Sequence, residues 1–158
     1  PNPAFGKRGV RVLRDHPDLL MAHLRAILRL GAEHDIRILV PMVTLPSEIG
    51  WVRDSLEEVA AQSGVGRLPP LGAMIETPAA ALCADLLAPH ADFFSLGTND
   101  LTQYVMAAGR EDPFVAEYYQ EDTQRCAGWL RRRYGRHPAC RSSSAARRRV
   151  VLRRWQCF

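Results

Sequence analysis

Three short, predominantly apolar runs separated by helix-period sequence constrain this chain more than any other feature. The runs are Ile36 to Met42, Leu71 to Glu76 and Ala91 to Gly97. A strand that is apolar without alternation is buried on both faces, and this pattern belongs to parallel sheets covered by helices. The intervening segments supply those helices. Asp18 to Leu30 sets Leu19, Leu20, Leu24, Ile27 and Leu28 at helical spacing, with Gly31 as the expected stop. Pro46 to Ala61 carries Glu48 in its first turns, and Ala79 to Leu87 is the third helix. The expectation is an α/β fold of parallel βαβ units. Glu76 emerges at a strand's C-terminal end, the edge where such sheets carry chemistry.

The texture changes after Asp122. From Thr123 onward there are eleven Arg and no acidic residue, whereas residues 1–122 hold ten basic residues against all seventeen acidic ones, a net of −7. The overall charge of +4 therefore belongs to the tail. The Arg131–Arg133 and Arg147–Arg149 runs could neutralise phosphates, but they lack recognition spacing and interleaved stacking aromatics, so no nucleic-acid partner is expected. The chain divides into a domain over 1–122 and an irregular, poorly ordered Arg-rich tail over 123–158. No further strand is expected in that tail. Cys83 is the one cysteine before the tail, and its apolar helical setting predicts a small core residue. No Cys/His spacing suggests zinc. No apolar run approaches the roughly 20 residues that span a bilayer, so membrane insertion is not expected. The start at Pro1 shows neither an initiator Met nor a signal-peptide layout, and reads as an excerpt of a longer chain from a reducing cytoplasm.

Three segments carry candidate chemistry: Asn2 to Arg11, Met74 to Ala80, and Leu96 to Tyr104 followed by Arg110. Glu76 and Asp100 each stand at the end of a buried strand, where two converging carboxylates repel unless a cation lies between them. Oxygen-only ligands suit Mg²⁺, which takes one or two carboxylates plus substrate oxygens and water. Asn99 adds a neutral amide, while Arg8 and Arg110 can present planar forks to phosphate. The set suits a phosphorylated carboxylate chelated to Mg²⁺. Each segment also has a plainer reading. Gly97 to Asp100 could be a turn with a helix cap, Glu76-Thr77-Pro78 a helix start with Pro78 at its first position, and Arg8 a surface residue.

Taken together, in this order and at these separations, the segments resemble the signature of the phosphoenolpyruvate-utilising enzymes. The wordings Gly97-Thr98-Asn99-Asp100-Leu101-Thr102-Gln103-Tyr104 and Glu76-Thr77-Pro78-Ala79-Ala80 are most similar to enzyme I of the sugar phosphotransferase system. The resemblance covers about residues 1 to 122. It implies a partial (β/α)8 barrel with its site at the C-terminal ends of the strands, phosphoenolpyruvate held by Arg8, Asn99 and Arg110, and Mg²⁺ held by Glu76 and Asp100. Arg37, on the first apolar run, matches another family arginine near the site. The implied activity is a phosphoenolpyruvate–protein phosphotransferase. Its barrel passes phosphoryl to a histidine on a separate swivelling domain and thence to a phosphocarrier protein, in a parent that dimerises through its C-terminal domain. None of His16, His23, His34, His90 or His137 lies in the phosphohistidine context, so no catalytic nucleophile is expected here. Enzyme I proteins usually have Asp before the arginine matched by Arg110, where this chain has Gly109. A pyruvate phosphate dikinase, a phosphoenolpyruvate synthase or a non-catalytic relic are the alternatives. Tyr104 and Met106-Ala107-Ala108 favour enzyme I over the other two enzymes.

The family continues with His-Pro-Ala-Val and later a Cys-Gly-Glu motif whose Cys protonates the enol carbon. Here Asp122 is followed by Thr123-Gln124-Arg125-Cys126. Loss of one base converts CAC CCA GCG GTG into codons for Thr-Gln-Arg-Cys, and GTC TGC GGC GAG into codons for Ser-Ala-Ala-Arg, as at Ser144 to Arg147. The expectation is a tail read in a shifted frame, without the proton-donating Cys and without the last strands of a barrel. The other reading is a genuine basic extension.

Overall fold

The computed structural model describes residues 3–119 and 149–150. Three strands form where the apolar runs predict them, each shorter than its run: β1 (Ile38–Val40), β2 (Leu71–Ile75) and β3 (Phe93–Leu96). All pair in parallel, with Ile38 opposite Leu71, Gly72 opposite Phe93 and Ile75 opposite Leu96. A two-residue strand β4 (Arg149–Val150) adds in parallel to the far side of β3, giving the order β1-β2-β3-β4. This corrects the expectation that the tail contributes no strand. The rest of the tail lies outside the described residues, as does its expected irregularity. Spatial order equal to chain order means that each crossover steps the same way along the sheet. Right-handed crossovers would then place every connecting helix on one face.

The helices are α1 (Val10–Asp15), α2 (Pro17–Glu33), α3 (Pro46–Ser63), α4 (Pro78–Leu82), α5 (Ala84–Leu87) and α6 (Thr98–Met106). Leu24 and Leu28 of α2, Ile49, Val52, Leu56 and Val59 of α3, Leu87 of α5 and Leu71 and Ile75 of β2 are almost wholly excluded from solvent and make one core. Burying a Leu- or Ile-sized side chain is worth about 1.5–3 kcal/mol, so this layer fixes the strand ends that carry polar residues.

Three helix expectations need correction. The second helix runs through Gly31 to Glu33. Gly31 serves close packing instead, since a Cβ there would sit 3.2 Å from the Ile36 Cδ1. The third expected helix is two short ones, broken at Cys83 (φ −116°, ψ 29°). Ala80 and Ala81 before the break and Ala84 and Leu87 after it are all buried in the core. Cys83 itself is exposed, not a core residue. Among the described residues no helix is long and apolar enough to cross a membrane.

Candidate functional site

Parallel pairing brings the C-terminal ends of the strands to one edge, and the segments singled out in the sequence meet there. Gly9 makes the first meeting possible. It adopts φ 55°, a left-handed conformation that glycine takes without steric cost, and a Cβ there would lie 2.8 Å from the Pro41 carbonyl oxygen. The Val10 amide then donates to that carbonyl at 3.2 Å, which docks the first segment on the end of β1. Arg8, just before it, reaches across to α6. Its two terminal nitrogens donate to the two carboxylate oxygens of Asp100 at 3.1 and 3.2 Å. This fork-to-carboxylate pair is the strong, directional kind. The Tyr104 hydroxyl, one helical turn after Asp100, lies 3.4 Å from the same guanidinium and donates to the Ala4 carbonyl oxygen at 2.5 Å. Burial opposes the charge on Arg8, but Asp100 and Tyr104 outweigh it and raise the pKa of the guanidinium.

Glu76 lies behind this pair, 4% exposed. Its Oε1 accepts the Met42 amide at 2.6 Å. Met42 can aim that amide because its backbone is left-handed (φ 59°), a conformation unusual for a residue with a side chain and found where the surroundings enforce it. Gly97 closes the opposite side. A Cβ there would fall 2.5 Å from the Glu76 Cβ and 2.6 Å from its Oε2. Burial raises the Glu76 pKa to about 7, the Met42 amide opposes that shift, and the nearby Asp100 carboxylate adds to it. Two carboxyl groups thus press together in a partly dry setting, with one guanidinium between them and the open side.

Thr77 supports this edge. Its hydroxyl donates to the Val43 carbonyl oxygen and accepts the Ala80 amide, both at 3.2 Å, which caps α4 and ties the loop after β1 to the end of β2. Pro78 holds the first helical position, so the plainer reading of Glu76-Thr77-Pro78 as a helix start holds alongside any binding role. Asn99 and Asp100 likewise sit in the first turn of α6, where the Asn99 carbonyl accepts the Tyr119 hydroxyl at 3.2 Å.

An open cleft of about 540 Å³ runs past these groups, lined by Lys7, Arg8, Asp100, Gln103 and Arg110 among others. Arg110 is half exposed and held loosely, its guanidinium 3.6 Å from Glu111. The structure therefore brings Arg8, Asp100 and Arg110 onto one cleft, with Glu76 directly behind Asp100 and Asn99 beside it. Arg37 is not brought there. It precedes β1, at the N-terminal edge of the sheet, with its guanidinium over the Phe93 ring at 5.9 Å. A strand rises about 3.3 Å per residue, so the three residues of β1 separate Arg37 from the loops at the C-terminal edge. Met42, Gln103 and Tyr104 are site neighbours that sequence reasoning did not single out as site residues. The i+3 and i+4 spacing from Asp100 marks Gln103 and Tyr104 as sharing its helix face, but the Met42 backbone leaves no sequence signal.

Comparison with known proteins agrees with the motif resemblance. The sequence model of the family described as "PEP-utilising enzyme, PEP-binding domain" matches residues 1–127. The "Multiphosphoryl transfer protein" of Xanthomonas campestris is 47% identical over 116 residues, covering 73% of this chain and 14% of that protein. The "Phosphoenolpyruvate-protein phosphotransferase" of Haloferax volcanii is 47% identical over 124 residues, covering 73% and 22%. The "Probable phosphoenolpyruvate synthase" of Methanocaldococcus jannaschii is 44% identical over 124 residues, covering 77% and 10%. The chain thus spans less than a quarter of the length of each of these relatives.

Proposed function

The chain belongs to the PEP-utilising enzymes as their PEP-binding domain, and from that footing we propose that it binds phosphoenolpyruvate with Mg²⁺ as part of a phosphoenolpyruvate–protein phosphotransferase. The observation that carries this reading is the Arg8 fork on Asp100, with Glu76 buried behind it and Arg110 on the same cleft. Arg8 and Arg110 would take the phosphate and carboxylate of the substrate, and Asn99 would offer its amide. Glu76 and Asp100 fit Mg²⁺ as far as their own chemistry goes. Both are oxygen donors, they crowd one another, and the raised Glu76 pKa reflects burial and a neighbouring negative charge that a cation would relieve. When bound, Mg²⁺ would neutralise charge on the phosphoryl group being transferred.

The described residues on the cleft position and neutralise, and none of them is a histidine. His16, His23, His34 and His90 do not line the cleft. A histidine imidazole delivered from elsewhere in the parent would take the phosphoryl group as its bond to the enol oxygen breaks, and the enolate would become pyruvate on gaining a proton. The parent would pass the phosphoryl group onward to a phosphocarrier protein, and the sheet described above would be an arc of its (β/α)8 barrel. A second reading, a phosphoenolpyruvate synthase barrel, draws on the archaeal relative of that name.

The test is calorimetric titration of phosphoenolpyruvate into the 158-residue chain with and without Mg²⁺. Mg²⁺-dependent binding is expected, and Arg8→Ala should weaken it about 10- to 100-fold, since a hydrogen bond to a charged group is worth about 1.5–3 kcal/mol and 1.4 kcal/mol is tenfold. An affinity indifferent to Arg8 would overturn the reading.

A further inference from the structure

The bond that holds the Arg110 backbone belongs to a residue with no role so far. Helix α6 ends at Met106, and Ala107 turns the chain through a left-handed conformation (φ 53°). Three of the next four amides then converge on Gln103. Its carbonyl oxygen accepts the Ala107 amide and, at 3.2 Å, the Ala108 amide. Its side-chain Oε1 accepts the Arg110 amide at 3.0 Å. Two further bonds lie within this loop: the Asp112 amide to the Gly109 carbonyl oxygen at 3.2 Å, and the Phe114 amide to the Asp112 carboxylate at 3.0 Å. Gly109 has no side chain to add another tie. The reversal lays Arg110 back along the helix, beside Gln103, which follows Asp100 by three residues and shares its face.

We propose that Gln103 is a positioning residue for Arg110, fastening the returning loop to α6 so that the guanidinium stays on the Asp100 side of the cleft. The proposal rests on the reading of that cleft as the phosphoenolpyruvate site. The physical need is plain. A fork that binds an oxyanion bidentately requires a fixed orientation, and the Arg110 side chain is half exposed, with a 3.6 Å contact to Glu111 as its one ion pair among the described residues. Its orientation must come from the backbone. Releasing the backbone of even one residue restores roughly 1–2 kcal/mol of conformational entropy that binding must then remove.

The experiment is a double-mutant cycle on the full 158-residue chain, read by calorimetric affinity for phosphoenolpyruvate with Mg²⁺. Gln103→Leu, which keeps a helix-forming side chain and removes the acceptor, should weaken binding about 5- to 30-fold, the equivalent of that entropy at 1.4 kcal/mol per decade. In an Arg110→Met background the same substitution should change affinity less than about twofold, because a residue acting through another has nothing left to act on. Equal losses in both backgrounds, or no loss in either, would overturn the role assigned to Gln103. An affinity unmoved by Arg110→Met alone would instead overturn the assignment of the cleft. Amide hydrogen exchange supplies a readout independent of any ligand: the Arg110 amide should exchange faster in Gln103→Leu than in the parent while core amides keep their rates. Unchanged protection of that amide would sink the positioning role even if the chain bound no phosphoenolpyruvate.

Discussion

Glu76 gives the residue scale its sharpest consequence. Its folded pKa stands at about 7, above the ordinary carboxylate value of 4.5, because it is buried and faces Asp100. Between those values the folded chain binds more protons than the unfolded one, so stability falls as pH rises through this window and levels off above about 7. The full effect is up to about 3 kcal/mol at about 1.4 kcal/mol per unit. Denaturant titrations at pH 5 and pH 8 should show the loss, and Glu76→Gln should abolish it. With Mg²⁺ held between the carboxylates as proposed, added Mg²⁺ should recover stability at pH 8 and do little at pH 5. Gly97 makes the complementary test of geometry. An added Cβ overlaps Glu76 at 2.5 Å, so Gly97→Ala should lower both the denaturation midpoint and the affinity for Mn²⁺ measured by electron paramagnetic resonance. An unchanged midpoint would show that the two strand ends can part without cost. At this scale the sequence discloses ionic side chains in a recognisable order and hides what the backbone does. Glu76, Asp100 and Arg8 were legible, whereas the left-handed Met42 that aims an amide at Glu76 was not. Arg37 was matched by motif alone, and the structure places it ahead of β1 and off the cleft.

At the scale of elements, the structure leans on short loops that lock strand ends together, and Thr77 is the clearest lock. It caps α4 and bonds the Val43 carbonyl oxygen of the neighbouring loop. Thr77→Ala should cost about 1–2 kcal/mol, the range for a lost cap whose partner is left unsatisfied. Thr77→Ser keeps the hydroxyl and should restore most of that stability in the same urea titration. The strands were legible because buried parallel strands are apolar on both faces, and the helices because α2 and α3 carry long periodic faces. Boundaries were less so, for a physical reason. Gly31 has the composition of a stop, yet the helix continues through it to Glu33, and its missing side chain lets Ile36 pack close. Cys83 sits in Ala- and Leu-rich sequence, yet the helix breaks there (φ −116°, ψ 29°), and no glycine or proline marks the place. At Gly31 tertiary packing overrode local preference.

For the whole molecule, charge divides the sequence into two unlike parts. Residues 1–122 carry ten basic and seventeen acidic residues, a net of −7, while the tail from Thr123 carries eleven Arg and no acid. That contrast is what a GC-rich reading frame displaced by one base would produce. The stepwise parallel order of the sheet, with Arg149–Val150 beside β3, neither requires nor forbids a shifted frame, since a two-residue pairing depends on main-chain groups and little on side chains. The question is therefore decided by chemistry at the junction. Trypsin cutting after Arg110 and Arg125 would release the peptide Glu111–Arg125 from the chain as written, ending Asp122-Thr123-Gln124-Arg125. We propose the displaced frame as the origin of the tail. The protein isolated from its native source should then yield instead a peptide running from Glu111 through Asp122 into His-Pro-Ala-Val. Mass spectrometry separates the two without ambiguity. Finding Glu111–Arg125 in the native protein would mean that the basic tail is truly made. Whatever the parent does with phosphoenolpyruvate would then have to proceed without a Cys-Gly-Glu segment in the place where the family's sequence continues.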